Sequence, residues 1–444
     1  MPTRRTLLFL ITAALPFILA GVSPLAIYVA LLANLTVITL YVLDLHQLPA
    51  RNRLSLKKKL QRILSLDQPG EVTLTVTNES RWDLTGTLQE NPPRGCCPSP
   101  KRMEVAVPHR RRSDITYELR PLERGRFSFA ESVLRVHGPL SMAFRDYHFA
   151  PPSADEEEDR SGWDFTVYPR IGGATPRRMA ALARRLESGY HRLERQVEGT
   201  TPSQLRQWQT GDSYRDINWK ASARYDYPMV TQFDTERNQS VYIFVDCGRL
   251  MALPVGRLRK IDYAVNACAD LARVAADRGD RVGVCCFSSE VKTWVSAQSK
   301  RRHLLRILER LSEVQADPVA TDFDAPLNLF LSRSQRRSLC LFLTTFSESV
   351  GAEQLMDRLR MLRPRHVPAV VSLTDPELEA AIHREPSGYQ EACRKLAAAD
   401  LREEIDLLAG QLRRRQGYFL ETPADTLSAG TVQTYLEVKA RGAL

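Results

Sequence analysis

Residues 207–248 read QWQTGDSYRDINWKASARYDYPMVTQFDTERNQSVYIFVDCG. The stretch closes on Ser240-Val-Tyr-Ile-Phe-Val-Asp246, a β-branched and aromatic run that reads as a strand. An apolar strand that delivers a carboxylate at its C-terminal end is where open α/β sheets place their sites. Asp246 is therefore the first candidate position. Downstream, apolar runs alternate with amphipathic ones. Strands are expected at 241–246, 281–287, 338–344, 367–373 and 417–421, with an edge strand at 291–296. Helices are expected at 260–277, 299–314, 352–363, within 376–415 and at 428–441. Strands separated by helices of this size predict a mostly parallel, doubly wound α/β sheet over 241–444.

Upstream the pattern changes to period two. Glu71 to Thr77 alternates and ends in the turn Asn78-Glu79-Ser80. Further short strands are expected at 84–88, 103–107, 114–119, 126–129, 132–137 and 143–149, so 66–170 reads as a β-sandwich-like domain. The run His109-Arg110-Arg111-Arg112 reads as a solvated turn, and 153–162 as an acidic loop. Residues 171–240 form a connecting region, with arginines at helical spacing over 176–195.

The N-terminal 1–50 carries two charge-free apolar runs, 6–20 and 24–43, joined by Gly21-Val22-Ser23-Pro24. Arg4 and Arg5 precede the first; Arg51, Arg53, Lys57, Lys58, Lys59 and Arg62 follow the second. Positive flanks on both sides predict a two-helix transmembrane hairpin with both termini cytoplasmic, in the inner membrane. The basic segment 51–65 is expected to lie along anionic lipid headgroups. The rival reading is a signal peptide, even a twin-arginine one; against it, the second apolar run follows at once and would act as a stop-transfer.

The net charge of +10 over 444 residues, with a pI near 9.3, admits nucleic acid, lipid or an acidic protein as partner. The basic residues are spread along the chain rather than interleaved with aromatics on one face, so no nucleic acid is expected. The eight cysteines include two adjacent pairs, Cys96-Cys97 and Cys285-Cys286, and lack zinc-finger spacing. They read as free thiols. None of the eight histidines sits in a His-Glu-x-x-His or nucleophile-elbow setting, and the chain has no phosphate-binding loop of the Gly-x-x-x-x-Gly-Lys kind. An enzyme is not expected; a hydrolase and a nucleic-acid-binding membrane protein are the alternatives.

Within the opening stretch, Gly211, Asp212, Arg215, Ile217, Trp219, Lys220, Ala223 and Arg224 form a pattern. It resembles the signature of the domain of unknown function 58 family. The Arg124-Gly125 turn, the His137-Gly138-Pro139-Leu140 turn, the Val167-Tyr168-Pro169 strand and Tyr435-x-x-x-Lys439 also have counterparts there. The resemblance implies paired membrane spans, a von Willebrand factor A-like domain, and partnership with a MoxR-type AAA+ ATPase in a chaperone-like or envelope-maturation assembly. From the residues themselves, two readings of the motif stand. One is a brace, with Trp219 buried in an arginine–carboxylate network; the other is a docking surface.

A von Willebrand A-like domain implies a Mg²⁺ site built from Asp-x-Ser-x-Ser, a loop threonine and a later aspartate. Here the first element reads Asp246-Cys247-Gly248-Arg249-Leu250, with both serines replaced. Thr321 can supply the threonine. Thr344-Thr345-Phe346-Ser347 follows the fourth strand without an aspartate. Hard cations require oxygen ligands in near-octahedral array, so Mg²⁺ is not expected. Asp246 is expected to pair with Arg249 or with a basic group of a partner.

Overall fold

The computed structural model describes residues 2–17, 25–152, 162–170, 201–209, 212, 214, 217–225, 227–234, 238–299, 301–346, 349–362, 365–374, 376–414 and 417–441. The chain forms two units, Met1–Tyr168 and Pro169–Leu444. The expected helix at 176–195 and the acidic loop at 153–161 lie outside the described residues.

The first unit opens with α1 (Arg4–Ala14) and α2 (Leu25–Gln47). At a rise of about 1.5 Å per residue, α2 is about 34 Å long, a bilayer's hydrocarbon thickness. Ile27–Gln47, at a mean hydropathy of 1.8, is long and apolar enough to cross a membrane, and among the described residues it is the one helix that is. The second apolar run therefore extends past the expected 43 to include Asp44, and α1 is shorter than the expected 6–20. The ends of both helices are fastened to the turn 138–143. The Asp44 carboxylate, fully buried, accepts the backbone N–H groups of Leu140, Met142 and Ala143 at 2.7–2.8 Å. The Thr3 hydroxyl donates to Ser141 O at 2.8 Å. A Cβ on Gly138 would lie 2.3 Å from an Asp44 oxygen, so this turn requires glycine.

The strands that follow are β1 (Leu54–Leu60), β2 (Ile63–Ser65), β3 (Gly70–Asn78), β4 (Leu84–Asn91), β5 (Cys96–Ser99), β6 (Arg102–Val107), β7 (Arg112–Pro121), β8 (Gly125–Ser128), β9 (Glu131–His137), β10 (Phe144–Phe149) and β11 (Asp164–Tyr168). Two four-stranded sheets, in the orders β1-β3-β7-β5 and β10-β9-β4-β6, enclose a core of inward residues such as Val72, Leu74, Leu88 and Leu134. A three-stranded sheet β2-β11-β8 accompanies them.

The β domain begins at Leu54, not at 66, and this corrects the juxtamembrane reading of 51–65. Residues 54–60 alternate as LSLKKKL, and the inward position at the centre is Lys58. Its ammonium is buried against the Glu90 carboxylate at 2.8 Å. The rings of Phe129 and Trp163 flank it at 3.6 and 4.2 Å from their centroids. Burial pushes the Lys58 pKa down while Glu90 opposes the shift. Lys58 is thus a core residue of the sandwich and cannot reach lipid.

In the second unit, β12 (Thr201–Gln207) and β13 (Met229–Asp234) pair as an antiparallel hairpin that encloses the short helix α3 (Trp219–Ser222). Then come β14 (Ser240–Asp246), a two-stranded hairpin of β15 (Pro254–Val255) and β16 (Leu258–Arg259), α4 (Lys260–Asp277), β17 (Arg281–Phe287) and β18 (Val291–Gln298). α5 (Arg301–Glu313), α6 (Asp324–Arg333), β19 (Ser338–Thr344), α7 (Ser349–Leu362), β20 (Val367–Leu373), α8 (Pro376–His383), α9 (Tyr389–Arg414), β21 (Tyr418–Thr422) and α10 (Leu427–Ala440) complete it. The six-stranded sheet runs β18-β17-β14-β19-β20-β21, parallel except for the edge strand β18. β14 lies inside the sheet, and all seven of its residues are buried. On one face Phe244 stacks on Phe342 at 4.5 Å and meets Phe330 of α6 edge-on at 5.6 Å. α4 and α10 pack together on this sheet.

Candidate functional site

Asp246 ends β14 as the sequence implies, and the sheet topology brings two loops to it. One carboxylate oxygen accepts the Gly248 N–H at 2.8 Å and the Thr321 hydroxyl at 2.7 Å. The other accepts the Thr344 hydroxyl, from the end of β19, at 2.6 Å. Among the described residues these are the hydrogen-bond partners of the carboxylate, in place of Arg249, one of its two expected partners. Thr321 supplies the loop hydroxyl the sequence offers, and Thr344 stands at the strand end where a metal site would carry an aspartate. The carboxylate is 2% exposed, and burial raises its pKa against the opposing pull of the three donors.

A Cβ on Gly248 would lie 2.1 Å from the Thr321 oxygen. The missing serine thus has a physical cause: the threonine hydroxyl occupies its space. The residues present do not fit a hard divalent cation. The two hydroxyls direct their protons at the carboxylate, and the cluster holds one formal negative charge where such ions favour several anionic oxygens. Among the described residues, no group of three or more His, Cys, Asp or Glu is placed to hold a metal.

The signature motif lies between β12 and β13. Asp212 accepts two hydrogen bonds from the Arg206 guanidinium, both 2.7 Å, and the Gln209 N–H at 2.9 Å. The Arg206 fork and the backbone N–H hold its carboxyl below the usual range. Ile217 is buried and bridges to Val230 of β13. Asn218 caps α3, accepting the Ala221 N–H at 2.9 Å. Its own N–H donates to Met229 O at 2.8 Å, and the Ser222 hydroxyl accepts the Met229 N–H at 2.8 Å. Ile217, Asn218 and Ser222 therefore pin α3 to β13, which leaves Trp219, Lys220, Ala223 and Arg224 facing outward.

Trp219 is 70% exposed, and Lys220, Ala223 and Arg224 are exposed beside it. Tyr225 and Tyr227 stack on each other at 5.9 Å and are exposed too. This corrects the brace reading, which needed a buried tryptophan. The brace is made instead by Ile217 and by the Arg206–Asp212 pair; Arg206 is a residue the pattern did not include. Gly211 and Arg215 lie outside the described residues.

The eight cysteines are free, and six are buried. A hydrogen bond with Cys286, together with burial, pushes the Cys247 thiol well up. Burial does the same to Cys268, Cys285 and Cys340. Thiols held in the protonated form are poor nucleophiles.

The second unit is thus a mixed α/β domain with a closed carboxylate–hydroxyl cluster at the end of an inner strand and an outward-facing aromatic turn. Residues 204–383 match the family described as Protein of unknown function DUF58. The uncharacterized proteins Rv1480 of Mycobacterium tuberculosis and Mb1516 of Mycobacterium bovis are each 25% identical over 180 residues. The match covers 40% of this chain and 56% of theirs. Among solved structures, the conserved hypothetical protein BatB from Bacteroides thetaiotaomicron is similar at 14% identity with a TM-score of 0.31. It is covered in full by 46% of this chain. The CARDB domain of PF1109 from Pyrococcus furiosus is similar at 11% identity with a TM-score of 0.17, over 26% of this chain and 86% of that one.

Proposed function

We propose that the protein is a non-enzymatic, membrane-anchored adaptor that docks a MoxR-type AAA+ ATPase on the 217–227 turn, in a chaperone-like or envelope-maturation assembly. The observation that carries this reading is the exposure of Trp219, Tyr225 and Tyr227 beside Lys220 and Arg224 on a turn whose backbone is pinned from beneath. Clusters of exposed aromatics with arginine are the composition of protein-binding hot spots. The α/β domain reads as von Willebrand A-like; what supports this is a six-stranded sheet, parallel but for one antiparallel edge, with helices between its strands. The apolar helix at 27–47 supports an anchor, and a second span through the first apolar run, with both termini cytoplasmic, belongs to the same reading. ATP chemistry then resides in the partner. The test is affinity capture of the full-length protein from gently solubilised native membranes, with and without ATP. A co-purifying AAA+ ATPase that is lost on Trp219→Ala supports the proposal. Absence of an ATPase under both conditions overturns it.

A further inference from the structure

Strand register gathers four turns of the sandwich at one end. Leu54 pairs with Asn78, Thr77 with Arg112, Leu84 with Val107, and Thr85 with His137, which also pairs with Phe144. The segments 48–53, 79–83, 108–111 and 138–143 therefore lie together. Side chains tie them. The Asn78 amide donates to Trp82 O at 2.9 Å and to Val107 O and Pro108 O at 3.2 Å. The Asp83 carboxylate accepts the His109 N–H at 2.7 Å.

This is the end on which the apolar helix sits, because Asp44 binds the turn 138–143. It is also where the basic residues collect. Arg53, Arg81, Arg110, Arg111 and Arg112 are exposed, and none has a carboxylate partner among the described residues. Arg4 and Arg5, at the start of α1, are exposed beside the same turn. Of the acidic groups here, Asp44 is buried and satisfied, Asp83 is engaged by His109, and Glu79 is exposed. Two large apolar side chains point outward among the arginines: Trp82 and Leu140, each 50% exposed.

We propose that this end of the sandwich is a membrane-seating face whose partner is the anionic phospholipid surface. Trp82 and Leu140 enter the interfacial zone, and the arginines contact headgroup phosphates. Tryptophan belongs at that depth, and each arginine near the surface adds attraction to anionic lipid. The Asp44 clasp makes the seat rigid, so the β domain is held on the bilayer rather than swinging from a linker. The inference rests on reading residues 27–47 as a membrane span.

The test uses full-length protein with Cys97 and Cys393 changed to serine, reconstituted in phosphatidylcholine vesicles with or without phosphatidylglycerol. An environment-sensitive label is placed at Trp82→Cys, Leu140→Cys or, at the opposite end of the sandwich, Lys101→Cys. Retention on the vesicles through alkaline carbonate reads the span separately. The expected result is quenching of labels 82 and 140, but not 101, by shallow spin-labelled lipid. Quenching at 82 is expected to rise with phosphatidylglycerol, and Arg110→Glu/Arg111→Glu/Arg112→Glu to cut that rise by about half or more while leaving retention intact. If 82 and 140 behave like 101 on retained protein, the seating face is overturned and the span stands. If carbonate extracts the protein, the span is overturned and the seat with it. Protection of the labels by oligonucleotide in place of lipid would assign the patch to nucleic acid and overturn the proposal.

Discussion

Gly248 and Thr321 share one space: a Cβ on the glycine would lie 2.1 Å from the threonine hydroxyl oxygen, which donates to Asp246. Restoring the metal-site serine is therefore expected to harm rather than help. Gly248→Ser should destabilise the domain by about 1–3 kcal/mol, the usual effect of overpacking a tight interior. It should create no Mg²⁺-dependent rise in melting temperature. Thermal unfolding with and without Mg²⁺ reads both.

The raised pKa of Asp246 has a defined sign. Well below its ordinary value of 3.8, folded and unfolded chains both hold the proton. As pH rises from there through the raised folded value, the folded chain retains a proton that the unfolded chain releases, so stability is lost. Asp246→Asn puts a neutral, non-titrating amide in place of the carboxyl group. Its stability relative to the wild type should improve as pH climbs above 3.8, because the carboxyl group's contribution falls as the pH rises through its raised folded value. Parallel denaturation profiles for the two proteins would contradict this.

Asp280 is buried and accepts hydrogen bonds from Tyr435 at 2.5 Å and Lys439 at 2.6 Å, which fastens α10 to the loop before β17. Lys439→Met leaves that carboxylate without its cation, and should cost about 3–5 kcal/mol. Tyr435→Phe removes one hydrogen bond and should cost about 1–3 kcal/mol. Adding Asp280→Asn to Lys439→Met should recover part of the loss, measured in a double-mutant cycle of urea denaturation.

Lys58→Met strands Glu90 inside the sandwich and is expected to cost about 3–5 kcal/mol. The exposed neighbour Lys59→Met should stay within about 0.5 kcal/mol. Equal effects at the two positions would contradict the core assignment of Lys58.

Much of the α/β unit is legible in the sequence, because β14, β17, β19 and β20 are runs of seven residues with almost no exposed position. α6 was not legible: among its buried side chains Pro326, Leu327 and Phe330 give too few points for a helical period. β12 escaped because its sequence TPSQLRQ is polar and its partner β13 lies beyond the motif. In β1 the three lysines hid the alternation, since the acid that pays for burying Lys58 is 32 positions away at Glu90. Trp219 was misplaced for a similar reason. What pins α3 is the small polar pair Asn218 and Ser222 acting through backbone groups, and the aromatic residue of the pattern faces out.

The most direct test of the docking claim is site-specific photo-crosslinking in living cells. A photoreactive residue is placed at Trp219 or Tyr227, with Tyr389, 84% exposed on α9, as the comparison. ATP-sensitive crosslinks to an AAA+ ATPase are expected from 219 and 227, and none from 389. Crosslinks to the ATPase from 389 alone, or no ATPase from any position, would contradict the docking claim.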